Sequence, residues 1–89
     1  MAWRIEFLPQ AEKELARLDR QIAQRILRFL DARLRTARDP RSLGEALRGE
    51  VLGKYWKYRV GNYRVICSIQ DDRIVITVIK VGHRSGVYR

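Results

Sequence analysis

Residues 54–89 read KYWKYRVGNYRVICSIQDDRIVITVIKVGHRSGVYR, three runs rich in Val, Ile and Tyr separated by Gly61-Asn62 and Asp71-Asp72. β-Branched and aromatic runs bounded by such pairs fold as antiparallel strands joined by tight turns. This tract therefore predicts strands at about 54–60, 63–70 and 73–82. In the first, Trp56, Tyr58 and Val60 alternate with Tyr55, Lys57 and Arg59, giving one apolar and one basic face. In the second, Tyr63, Val65, Cys67 and Ile69 alternate with Arg64, Ile66 and Ser68. The third is apolar on both faces and belongs in the interior of a sheet.

The N-terminal half supplies the cover. AWRIEF at 2–7 alternates as a short strand, with Trp3, Ile5 and Phe7 on one face. Pro9 suits the first turn of a helix, which Ala11, Leu15 and Leu18 continue to about residue 18. Asp19 can cap a second helix, in which Ile22, Ile26, Phe29, Leu30 and Leu34 form one apolar stripe. Asp39-Pro40 ends it. The segment 39–53 reads as an irregular crossing anchored by Leu43, Ala46 and Leu47. The order β-α-α-β-β-β is that of one α+β domain over residues 1–89. Its helical hairpin packs on one face of a mostly antiparallel four-stranded sheet.

Charge narrows the possible partners. Nineteen Lys and Arg face ten Asp and Glu, a net charge of +9. Residues 1–47 hold 10 basic and 7 acidic groups, and residues 48–89 hold 9 and 3, so most of the excess travels with the strands. Lys54, Lys57, Arg59, Arg64, Lys80, His83, Arg84 and Arg89 alternate there with Tyr55, Tyr58, Tyr63 and Tyr88. Cations interleaved with aromatics on a rigid sheet suit a polyanion. The single cysteine, Cys67, excludes an internal disulfide and a CxxC metal site, and its apolar strand makes it a core residue. No signal peptide or membrane-length apolar run is visible, so the expected compartment is the cytoplasm. No carboxylate or His/Cys group has metal-ligand spacing, so neither a metal nor another cofactor is expected.

LRG at 47–49, KYWKYRVGNYRVIC at 54–67 and VGHRSGVY at 81–88, following a strand-helix-helix start, resemble the RelE family of toxins from bacterial toxin–antitoxin systems. The resemblance covers nearly the whole chain. It implies a fold related to microbial ribonucleases, cleavage of mRNA in the ribosomal A site, and inhibition by a small RelB-like antitoxin in a hetero-oligomer. A ParE-like toxin would share the fold but inhibit DNA gyrase without cutting RNA. A non-catalytic basic binding module is the plainest alternative.

Metal-free RNA cleavage needs a base for the ribose 2′-OH, cations for the developing phosphorane charge and an acid for the leaving 5′-oxygen. The resemblance implies that Lys57 is the base. A lysine starts at a pKa of about 10.4 and works as a base near neutrality only when that value is lowered, as neighbouring cations would do. It implies that Arg64 holds the phosphate, that Arg84 clamps charge and that Tyr88 stacks on a base. His83, the only histidine, is a second candidate acid. Neighbouring strand positions face opposite ways, so His83 and Arg84 reach one phosphate only where the strand bends or ends, which Gly82 permits. Arg48, Lys54 and Arg59 are candidate contacts to the RNA backbone. Tyr55 stands where several relatives carry a second lysine, and the link from Arg84 to Tyr88 is shorter than in the best-studied relative.

Overall fold

A computed structural model describes residues 2–47 and 54–86. The strands are β1 (Arg4–Phe7), β2 (Glu45–Ala46), β3 (Tyr55–Val60), β4 (Tyr63–Gln70) and β5 (Val75–His83). The helices are α1 (Pro9–Ala16) and α2 (Arg20–Arg28), the latter continued by a π-helical turn over Phe29–Leu34. The sheet order is β1-β5-β4-β3-β2, with β1 parallel to β5 and every other pair antiparallel. The apolar third run is β5, and it is interior as its two apolar faces require.

Local sequence explains the helix starts. Pro9 opens α1 and Glu12 sits in its first turn. The Asp19 side chain accepts from the Gln21 amide at 3.0 Å and caps α2. Ile26, Leu30 and Leu34 are buried against Tyr58, Val65, Cys67, Ile76 and Val78 of the sheet. Burial pushes the Cys67 thiol well above its usual range. A smaller cluster of Leu47, Ile66, Tyr55 and Ile79 lies on the other face. No helix among the described residues is long and apolar enough to cross a membrane.

Three features depart from expectation, and each has a tertiary cause. The second helix stops before Asp39-Pro40. Arg35 N–H bonds the Leu30 carbonyl five residues back, and the Arg35 and Ala37 carbonyls accept from the Trp3 amide and indole at 2.8 and 3.1 Å. The start of β1 thus takes up acceptors at the helix end. Among the described residues the sheet has five strands, not four, because part of the crossing pairs with it. Asp39 caps a short 3-10 turn at Pro40–Leu43, and the Pro40 carbonyl accepts from the buried Tyr58 hydroxyl at 2.8 Å. Glu45 and Ala46 then pair with Lys57 and Trp56. Ala46 itself is exposed, so Leu43 and Leu47 are the anchors. Lastly, β5 bulges: the register slips between Ile66/Lys80 and Cys67/Val78. Glu14 of α1 meets the bulge, accepting from the Val81 amide at 2.8 Å and holding Lys80 Nζ at 3.4 Å.

Candidate nucleic-acid interface

Strand register sorts the basic residues by face. Lys57, Arg59 and Arg64 share the face away from the helices, because Arg59 lies directly across from Arg64 and Lys57 across from Ile66. On its other side Arg64 faces Gly82, which has no side chain to fill the space. Like charges directly opposite one another destabilise a sheet.

Aromatic interleaving is lost at this point. Tyr58 is fully buried and bonded to Pro40, and burial pushes its hydroxyl pKa far up. Tyr63 packs against the main core, so among the tyrosines of the described residues only Tyr55 shares the basic face. Lys80 is drawn to Glu14 by the bulge and does not join the cluster.

Lys57 sits in a cleft of about 160 Å³ lined by Ser42, Leu43, Gly44, Glu45, Lys57 and Arg59. At about 30 Å³ per water, that volume would hold about five waters or one phosphate group. Its lysine Nζ lies 3.7 Å from a carboxylate oxygen of Glu45, its register partner on β2. Sequence reading had left all the chemistry to basic residues and missed Glu45. A two-residue edge strand shows no periodicity, so no signal for the pairing existed.

Arg64 is only 8 % exposed. Its Nη1 donates to the carbonyls of Gly61 and Tyr63 at 3.4 and 3.1 Å. A guanidinium has five N–H donors, so this fastening leaves the rest of the fork for an anion. His83 pairs with Tyr63 and Tyr63 with Val60, which places His83 on the helix-facing row, opposite to Arg64. Its ring meets Tyr63 edge-on at 5.4 Å. His83 Nδ1 lies 2.9 Å from the Ser85 hydroxyl and 3.3 Å from the Ser85 amide, so the turn after β5 fixes the ring. β5 ends at His83, and Arg84 begins a turn whose amide bonds the Asn62 carbonyl at 2.9 Å. Arg59, Lys54 and Arg84 are exposed. Arg48 and Tyr88 lie outside the described residues. Among the described residues, no three His, Cys, Asp or Glu gather as metal ligands would.

A family model, the ParE toxin of type II toxin–antitoxin system, parDE, matches residues 5–88. The chain belongs to the RelE/ParE family of type II toxins. Toxin RelG of Mycobacterium tuberculosis is 29% identical to this toxin over 89 residues, 100% of this chain and 99% of RelG. Toxin RelE of the same organism is 33% identical over 79 residues, 89% of this chain and 78% of that protein. Among solved structures, the toxin–antitoxin complex RelBE2 from Mycobacterium tuberculosis superposes with a TM-score of 0.85 at 27% identity, covering 94% of this toxin and 100% of that chain. The archaeal RelE–RelB complex from Pyrococcus horikoshii gives 0.75 at 30% identity, with 98% and 100% covered. The kinship expected from the LRG, YRVGNYRV and VGHRSGVY tracts holds at the level of family and fold.

Proposed function

We propose that this toxin is a ribosome-dependent endoribonuclease that cuts mRNA in the A site and so stops translation. One observation carries the reading: a like-charged row, Arg59 opposite Arg64, runs on to the side-chain-free Gly82 and adjoins the Lys57 cleft. A phosphate seated there would be held by forked cations on two strands. Kinship with RelE toxins supports the same reading.

In this mechanism the ribose 2′-oxygen attacks the adjacent phosphorus, and the bond to the 5′-oxygen breaks. The products are a 2′,3′-cyclic phosphate and a 5′-hydroxyl. Glu45, 3.7 Å away, takes a proton from the Lys57 ammonium, and the freed amine accepts the 2′-OH proton. Arg64 and Arg84 offset the charge of the phosphorane. His83 in its imidazolium form gives its Nε2 proton to the leaving oxygen while Nδ1–H donates to Ser85 Oγ, 2.9 Å away, provided the RNA passes around the end of β5, since His83 and Arg64 belong to opposite faces. Tyr88 stacks on a flanking base, and Arg48, Lys54 and Arg59 contact the backbone. The partners are mRNA, the ribosome and a RelB-like antitoxin that forms a hetero-oligomer with the toxin. Acting on ribosomes makes the cytoplasm its compartment.

The test is expression of the toxin followed by mapping of mRNA 5′ ends by primer extension, with and without ribosomes. Ribosome-dependent new ends bearing 5′-hydroxyls are expected. Intact mRNA with gyrase-linked DNA damage would favour a gyrase inhibitor, the reading toward which the ParE family match leans.

A further inference from the structure

A second cationic surface lies on the flank of the sheet, away from the Lys57 cleft. Arg25, Arg28, Phe29 and Arg33 recur at i, i+3, i+4 and i+8, which makes them one stripe of the α2 helix and its π turn. That stripe forms a groove of about 360 Å³ with Arg59 and Gly61 of the β3–β4 hairpin. Four guanidiniums thus edge a floor that includes the half-buried Phe29 ring. Among the described residues no acidic side chain lines it.

Among the described residues Arg25, Arg28, Arg33 and Arg59 have no carboxylate within 4.0 Å, as is common for the Lys and Arg of this chain. Two observations separate this groove from an ordinary solvated helix face. First, the hairpin makes room for it. Gly61 adopts φ +61°, and a Cβ there would stand 2.9 Å from Arg25 Nη1, so the glycine lets that guanidinium lie against the turn. Second, Arg59 lines both this groove and the Lys57 cleft. β2 covers β3 only at Trp56 and Lys57, so Arg59 reaches both sides of an open strand edge. The two sites form one cationic track around that edge.

We propose that the Arg25–Arg28–Arg33–Arg59 groove is a second seat for the RNA phosphodiester backbone, one that holds nucleotides beyond the scissile phosphate. The proposal rests on the RNA-cleaving function above. It assigns binding, not chemistry, to Arg25, Arg28 and Arg33. Each phosphate neutralised releases condensed counterions, so the groove should show itself as salt dependence.

The test compares the full-length toxin with Arg25→Gln/Arg28→Gln and with the charge-preserving Arg25→Lys/Arg28→Lys. Binding is measured over about 50–200 mM salt to a 2′-O-methyl single-stranded oligoribonucleotide, which cannot be cut, and to ribosomes with an empty A site. Matching circular dichroism melts confirm that the variants fold. The Gln variant should lose about 1.4 from the slope of log K against log salt, at about 0.7 per single-strand phosphate. The Lys variant should keep the slope. Cleavage by the Gln variant should show a raised KM at unchanged kcat. A slope lost on the oligonucleotide assigns the groove to the message strand and supports the proposal, whereas one lost only on ribosomes assigns it to ribosomal RNA and overturns the proposal. An unchanged slope on both probes overturns it, as does a loss confined to antitoxin binding. If the wild type itself neither binds RNA nor cuts mRNA, the functional reading falls and this inference falls with it. If the wild type cuts mRNA and the Gln variant matches its slope, only the groove is refuted.

Discussion

Gly44→Ala should damage both fold and activity, although the residue touches no substrate. Its backbone angles, φ −140° and ψ −165°, are ordinary for alanine, so conformation is no obstacle. Space is the obstacle. A Cβ would stand 2.5 Å from the Lys57 carbonyl oxygen and 2.7 and 2.8 Å from Tyr58 Cε1 and Cδ1. Ordinary contact begins at 3.4 Å, so the neighbours must part by about 0.9 Å. Tyr58 cannot yield, being fully buried and tied to Pro40 at 2.8 Å. The strand pair β2–β3 must open instead. Overpacking of this kind costs about 1–3 kcal/mol. In a chain this small each kcal/mol moves Tm by about 4–8 °C, so Tm should fall by at least about 4 °C. The same shift carries Glu45 away from Lys57, and a misplacement of about 1 Å can lower catalysis by about 10²-fold. Thermal melts followed by circular dichroism read the first effect. Primer extension well below both Tm values reads the second. Gly86→Ala is the control, because nothing lies within 4 Å of its added Cβ. A Gly44→Ala protein that melts and cleaves like the wild type would refute the close β2–β3 packing and the role given to it.

Arg64→Ala and Arg84→Ala should each abolish toxicity in a growth assay while antitoxin capture persists. If both remain fully toxic, the phosphate site is misplaced. Asp71 should make stability acid-sensitive. Its hydrogen bond from Arg41, at 2.7 Å, holds the carboxyl below the usual range. A carboxylate lowered by folding contributes stability that is complete above its unfolded value of about 3.9 and lost as pH falls through the lower folded value. Between about pH 5 and 2 the urea midpoint of the wild type should therefore drop further than that of Asp71→Asn, and parallel profiles would show that the pair does not contribute. Cys67 should ignore a thiol reagent such as DTNB in the native protein and react fully once unfolded, because burial keeps it protonated and covered. Rapid labelling at a rate independent of unfolding would contradict its place in the core.

The sequence by itself determined the elements and their kinship. β-Branched and aromatic runs broken at Gly61-Asn62 and Asp71-Asp72 specified β3, β4 and β5, and the 3.6-residue stripe through Ile26, Leu30 and Leu34 specified the covering helix. Those patterns are local, so a chain reader can see them. The tracts around Arg64 and Arg84 carried the family as well.

Only the tertiary structure decided which charges meet. Cross-strand register put Arg59 and Arg64 side by side and sent His83 to the other face. Glu14, meeting the β5 bulge, engaged Lys80, and a two-residue edge strand brought Glu45 to Lys57. The hairpin turned Arg59 toward Arg25 and Arg28, residues more than 30 positions earlier. Register, bulges and edge pairing are set by hydrogen bonds between distant segments. A one-residue slip exchanges every side chain between the two faces while leaving the local pattern unchanged.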